Sequence, residues 1–127
     1  MAVTHGMATR TAVADAVVDR IDLGSGTATG LLKILTSGDA VLVSLPMSNP
    51  AFGAASNAVA TADTITTTEA TGAGTAAKFT IVDRDDAIIA TGSVTETGGG
   101  GDLILTNTDI NVGDPISISS LTYTAPA

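Results

Sequence analysis

Two glycine-rich stretches invite a test for phosphate binding. Residues 95–103 read TETGGGGDL and residues 24–30 read GSGTATG. A phosphate-cradling loop needs glycines at fixed offsets, a following helix whose first amides meet the anion, and usually a lysine. TETGGGGDL runs into DLILTNT, which is strand-like. No lysine is near, and Glu96 and Asp102 would repel a phosphate. The stretch reads as a hairpin loop with mobile glycines. GSGTATG follows a helical pattern instead of preceding one, so it reads as the connection into the first strand.

The acids offer a second candidate chemistry. Asp83, Asp85 and Asp86 sit in a DRDD run. Calcium needs several oxygens around one point, commonly from acids at alternating positions with a glycine bend. That glycine is missing and Arg84 competes for the acids, so the run reads as a solvated hairpin turn. Asp109 and Asp114 flank another turn and read the same way. The one histidine, His5, lies in the first residues, where nothing orients it against a nucleophile. Glu69 and Glu96 are the two glutamates, and a glycosidase pair must face across a cleft. Such clefts, like stacking platforms for oligonucleotides, are walled by aromatic rings. This chain has only Phe52, Phe79 and Tyr123 to offer. Without cysteine there is no disulfide, no thiol nucleophile and no cysteine-based zinc site. The expectation is a protein that is not an enzyme, with no catalytic, cofactor-binding or metal-binding residue.

The elements that carry these residues are mostly strands. Residues 1–8 read as a flexible arm. Over residues 9–23, Val13, Val17 and Ile21 recur four apart with Ala14 and Val18 beside them. Asp15, Asp19, Arg20 and Asp22 take the other side. That pattern predicts a helix packed through Val13, Val17 and Ile21, capped by Thr9 or Thr11 and ended by Gly24. After Gly30 the period shortens. Residues 31–36 (LLKILT) and 40–45 (AVLVSL) predict strands around an SGD turn. Residues 46–56 hold two prolines and a glycine, which bars a central strand. Phe52, alone in that loop, reads as a plug at the end of a core. Residues 58–70 alternate in part. Residues 78–83 and 87–94 form the clearest strand pair, with RDD as turn chemistry. Residues 102–108 predict another strand, then NVGDP a corner. Residues 116–124 (ISISSLTYT) predict a last strand, with a bulge at Ser119 and Ser120 that would bring Ile116, Ile118, Leu121 and Tyr123 to one face. Seven or eight short strands at this spacing predict a mainly β fold. The expected form is an antiparallel β-sandwich, jelly-roll or Ig-like, over residues 31–124, with one N-terminal α-helix, in a single domain of residues 1–127.

Composition excludes several partners. A net charge of −8 with five basic residues argues against nucleic acid and anionic membranes. The longest apolar run, near residues 40–47, is far short of a membrane span. Residues 1–30 hold no apolar run of signal-peptide length, which implies synthesis in the cytoplasm without export.

From residue 76 to 94 (AAKFTIVDRDDAIIATGSV) the chain resembles a group of small virion proteins of tailed bacteriophages. These share an order: a short helix, a Gly-rich step, a strand, a segment like LSNPAFG, and an Ala/Thr stretch. A strand–turn–strand of form F-x-I-x-D-x-D and a Thr-rich final strand follow. Here MATRTAVADAVVDRID, LLKILTS, LPMSNPAFGAAS, KFTIVDRDDAIIATGSV and ISISSLTYTAP stand in that order and cover almost the whole chain. DRDDAI departs from the usual Gly-containing turn. The resemblance is to head decoration, or cement, proteins. It implies a structural role on the outside of a capsid, in the virion, with the major capsid protein for a partner. It implies no catalytic residue. The high mean hydropathy adds the expectation of further copies of the chain, as a homotrimer. A tail or receptor-binding module that recognises a surface glycan, and a neck or tail-completion protein, are the alternatives.

Overall fold

The N-terminal periodicity produces a helix, α1 (Met7–Asp19), continued by one 3-10 turn over Arg20–Asp22. The computed structural model of the chain describes residues 6–96, 99, 103–105, 107–118 and 121–125. The helix starts two residues before the expected Thr9, so residues 7–8 belong to it and not to an arm, while residues 1–5 lie outside the described residues. Gly6 stands at the N-cap in extended backbone (φ −65°, ψ 160°) with no side-chain cap. The Thr11 hydroxyl is no cap either. It donates to the Met7 carbonyl (3.0 Å) and accepts from the Ala58 amide (2.9 Å), which ties helix to loop. Gly24 ends the helical segment as expected, at φ 108° just beyond Leu23.

The buried stripe is Ala14, Val18 and Ile21, with Val13 and Val17 only half-buried. This corrects the expected face. At 100° per residue, positions i, i+4 and i+7 spread over about 60°, somewhat less than the about 80° of i, i+4 and i+8. Ala14 is small enough to pack directly against Ala58 and Ala125. Two of the acids expected in solvent also hold the helix down. Asp15 Oδ1 accepts from the Ala55 amide (2.7 Å) and Asp22 Oδ1 from the Ala51 amide (2.9 Å). Arg10 donates to the Ala125 carbonyl through Nη2 (2.9 Å) and Nε (3.3 Å).

The rest of the described chain is β: β1 (Leu31–Leu35), β2 (Val41–Pro46), β3 (Val59–Thr61), β4 (Thr68–Glu69), β5 (Gly74–Thr75) and β6 (Lys78–Val82), then β7 (Ile88–Glu96), β8 (Leu103–Leu105), β9 (Asp109–Ile110), β10 (Pro115–Ile116) and β11 (Thr122–Thr124). The fold is thus mainly β with one N-terminal helix. A five-stranded sheet runs β2-β1-β6-β7-β8, and two-stranded ribbons pair β10 with β4, β11 with β3, and β5 with β9. Every pairing is antiparallel except β7 with β8.

The interior face of the large sheet can be read across its registers. Leu45, Leu32, Ile81 and Ala90 form one cross-strand row, and Val43, Ile34, Phe79 and Gly92 form the next. On β2, β1 and β6 these residues are buried. Such cross-strand neighbours, in contact on one face, stabilise a sheet. On β7 the rows end in an alanine and a glycine, so the face loses depth there. Phe52 is 4% exposed and sits in the core cluster, which makes it the plug the sequence predicts. Gly30 must be glycine, because a Cβ there would stand 2.2 Å from Ile21 Cγ2.

Two expectations about strands need correction. Residues 116–124 are not one strand: β10 and β11 join different ribbons, because Ile116 and Tyr123 register with Thr68 and Ala60 respectively. The anticipated bulge at Ser119 and Ser120 lies outside the described residues. Ile116, Ile118, Leu121 and Tyr123 nevertheless all pack on the same core cluster. The connection after β7 is not a hairpin, because Val94, Thr95 and Glu96 pair in parallel with Leu103, Ile104 and Leu105.

Replacing Ile21 by alanine should cost about 2–5 kcal/mol in urea unfolding, since it empties a buried site in the main core cluster beside Gly30. Leu23→Ala, at a side chain 54% exposed, should change stability by less than about 0.5 kcal/mol. Similar effects at both positions would contradict the assigned face.

Candidate functional site

The densest polar contact in the described chain joins GSGTATG to the DRDD turn. Asp83 starts the turn: its Oδ1 accepts from the amides of Asp85 and Ala87, both at 2.9 Å. This is the Asx chemistry that favours aspartate at a turn. Asp86 closes it in the left-handed region (φ 66°) and offers Oδ1 to Lys33 Nζ at 2.5 Å. Asp85 is turned toward the helix–strand connection, where its Oδ1 accepts from the amides of Ser25 (3.0 Å) and Gly26 (2.9 Å). Backbone bonds complete the clamp. Arg84 N–H donates to the Leu23 carbonyl (3.0 Å) and Thr27 N–H to the Arg84 carbonyl (2.9 Å). The Arg84 guanidinium donates Nε–H to the Thr27 carbonyl at 2.6 Å.

The glycines are there for approach. A Cβ on Gly24 would lie 2.6 Å from Asp85 Oδ2, and one on Gly26 would lie 2.7 Å from the Arg84 carbonyl. The loop amides do receive an anion, and it is the chain's own Asp85 carboxylate. Those bonds, first from Ser25 and then from Gly26, hold the Asp85 carboxyl below the usual aspartate range. Arg84 adds to this and burial opposes it. A shallow cavity of about 350 Å³ lies over the turn, bordered by Gly26, Thr27, Leu31 and residues 83–86. The three carboxylates of DRDD thus face three different partners instead of one point. Among the described residues no three His, Cys, Asp or Glu side chains gather as a metal site.

The remaining candidates are spread over the molecule. Asp109 and Asp114 do share a cavity, of about 220 Å³, with Asn107 and Ile116. Asp114 Oδ2 accepts from the Asn111 amide (2.9 Å), and Asp109 Oδ1 is 3.4 Å from the Thr75 hydroxyl. Glu69 lies on β4 opposite Pro115, and Glu96 ends β7, where its Oε2 accepts from Thr108 Oγ1 at 3.2 Å. The two glutamates belong to different sheets. His5 lies outside the described residues. Lys78 pairs with Asp39 on the surface.

In TETGGGGDL, Thr95 and Glu96 are the end of β7, Leu103 starts β8, and Gly99 is described between them. Residues 97–98 and 100–102 lie outside the described residues. Parallel strands usually need a crossover of a dozen residues or more; here residues 97–102 suffice. Gly99 shows part of the reason. Its amide donates to the Glu96 carbonyl at 2.9 Å, and a Cβ there would stand 2.6 Å from Thr95 Cβ. The chain folds back tightly on the strand it has just left.

One feature escaped the sequence reading. All three aromatic residues border a single cleft of about 340 Å³. Phe52 and Phe79 are buried in its floor and Tyr123 is half-buried at its side. Their separations in sequence, from 52 to 79 to 123, give no local signal. Only the pairing of β6, β7, β3 and β11 unites them.

No helix among the described residues is long and apolar enough to cross a membrane. Comparison with protein-family models, with curated proteins and with solved structures finds no match to this chain.

Two outcomes follow from this geometry. The Asp85 carboxyl is depressed in the folded state. Its contribution is therefore complete above the unfolded value of about 3.9 and is lost as pH falls through the folded value. Asp85→Asn should be less stable than the parent at neutral pH, and the two urea midpoints should converge in strong acid. A difference independent of pH would contradict the charge-based clamp. Gly99→Ala should lower the urea midpoint, because Thr95 and the backbone at Glu96 occupy the space a methyl needs. An unchanged midpoint would mean that the loop is free of β7.

Proposed function

We propose that this chain is a structural virion protein of tailed bacteriophages: a decoration protein that binds the outer capsid lattice and reinforces the head. The observation that carries the reading is how the acids are used. The DRDD carboxylates, Asp15 and Asp22 are bonded to the chain's own amides and to Lys33, so they serve the fold. The large apolar side chains left at the surface are dispersed. Met7, Leu23, Val41, Ile88, Ile104 and Val112 are 42–68% exposed. A protein that works by many modest contacts needs such a surface, and an enzyme needs a pocket with convergent polar groups. The order of segments supports the same reading, from the N-terminal helix through LPMSNPAFGAAS to KFTIVDRDDAIIATGSV.

On this reading the partners are the major capsid protein and two further copies of the chain. Mean hydropathy is +0.40, high for a domain of 127 residues. Identical subunits usually close into symmetric assemblies, and a capsid offers three-fold positions to a trimer. Three weak footings then act together through effective concentration. Binding to the assembled shell, and not to its free subunits, shifts the shell toward the assembled state. Sedimentation velocity should give the mass of a trimer, and virions lacking the protein should release DNA at a lower temperature than complete ones. A monomer at all concentrations, with unchanged DNA release, would overturn the proposal.

A further inference from the structure

The aromatic cleft is bordered by strand edges, and its lining shows this. Leu121, Thr122, Tyr123 and Thr124 all border it, as do the consecutive Ala90 and Thr91. Side chains alternate between the two faces of a strand, so a run of consecutive residues can border a cleft only along the strand's edge.

The hydrogen-bond phase shows which backbone groups point there. The Val94 amide donates to the Ala77 carbonyl (3.0 Å). In an antiparallel pair, bonded and non-bonded positions alternate. Ala77 with Val94 and Phe79 with Gly92 are therefore bonded positions, and Thr80 with Thr91 is not. The N–H and C=O of Thr91 point away from β6. On β11 the Ala125 amide donates to the Ala58 carbonyl (2.9 Å) and the Ala62 amide to the Leu121 carbonyl (2.8 Å). Tyr123 with Ala60 is then the bonded position, and the backbone groups of Thr122 and Thr124 point away from β3. β8 pairs with β7 only at Val94–Glu96, and β11 has β3 as its one partner among the described residues. Among the described residues, Thr91 on β7 and Thr122 and Thr124 on β11 thus border one cleft with backbone groups that no described strand pairs. Its floor is Phe52, Phe79 and Ile81, left open because β7 puts Ala90 and Gly92 where the neighbouring strands put large side chains.

We propose that this cleft is a strand-insertion site for an extended, uncharged segment of another polypeptide. The segment would bond to the backbone of Thr91 on one side and of Thr122 and Thr124 on the other, with alternate apolar side chains lying on Phe52, Phe79 and Tyr123. The occupant's chemistry follows from the lining. Donors and acceptors along two strand edges match a polypeptide backbone, the means by which strands are added to sheet edges. The lining holds no Asp, Glu, Lys, Arg or His, in a chain of net charge −8, so the cleft offers no ion pair to a charged segment. A buried polar backbone must be bonded, and this cleft supplies partners on both sides.

Amide hydrogen exchange and nitrogen–proton NMR on the full chain test the proposal. In the free protein, the amides of Thr91, Thr122 and Thr124 should exchange at least about tenfold faster than those of Gly92 and Tyr123. A capped pentapeptide alternating threonine and valine should then shift and protect those three amides saturably. The same peptide N-methylated at every amide should do neither. Thr122→Pro removes an N–H that β3 does not use, and should weaken the peptide's effect at least about tenfold. If that variant fails to fold, the N-methylated peptide still decides. Protection of the three amides in the dilute free protein, absence of any peptide effect, or an equal effect of both peptides would overturn the inference. Protection that grows with protein concentration alone would overturn the choice of a separate partner, assigning the cleft to a second copy.

Discussion

The pairing of β1 with β6 is the constraint on which the remaining structure depends. These strands lie more than forty residues apart in sequence, yet Leu32 stands opposite Ile81 and Ile34 opposite Phe79. β2 extends the same rows on one side and β7 on the other. Once this register is set, Gly30 lies at the start of β1 against Ile21, which seats the end of the helix. Asp83 lies just past the end of β6, which brings the DRDD turn to the Gly24–Thr27 connection. The helix, the clamp and the large sheet all meet at that end of β1. A one-residue slip would turn Leu32 and Ile34 to the wrong face.

The acids illustrate how one residue type can serve structure where a sequence suggests chemistry. Asp85 is held by two amides of a glycine-rich loop, the same donors that elsewhere cradle phosphate. Asp15 and Asp22 use one carboxylate oxygen each to fix the loop that carries Ala51, Phe52 and Ala55. The part-buried bonds of Asp15 and Asp22 replace water at otherwise unpaired amides, and bonds of this kind typically contribute about 1.5–3 kcal/mol. Surface pairs such as Lys78 with Asp39 contribute little beside them.

Much of the fold class was legible because it rests on local periodicity. The helix, β1, β2 and the β6–β7 hairpin appear within about two residues of their expected bounds. Phe52 plugs the core from a proline-bounded loop, as a lone aromatic there suggests. What failed was non-local. Val13 and Val17 looked like the helix face because they are large, but Ala14 won through its close contact with Ala58 and Ala125. ISISSLTYT looked continuous, yet its halves pair with β4 and β3. TETGGGGDL looked like a hairpin, and the strands beside it run parallel. The aromatic cleft was invisible for the same reason, since it forms only when β7 and β11 are brought near. The clamp had a readable trace in retrospect: two glycine-spaced amides on one side and an excess of aspartates on the other.

The central claim is that this protein works by covering a capsid lattice. Electron cryo-microscopy of the complete virion tests it most directly. The account predicts many copies on the outside of the head, in clusters of three over junctions between capsid subunits. A few copies confined to the tail or to one vertex, with a bare head surface, would contradict it.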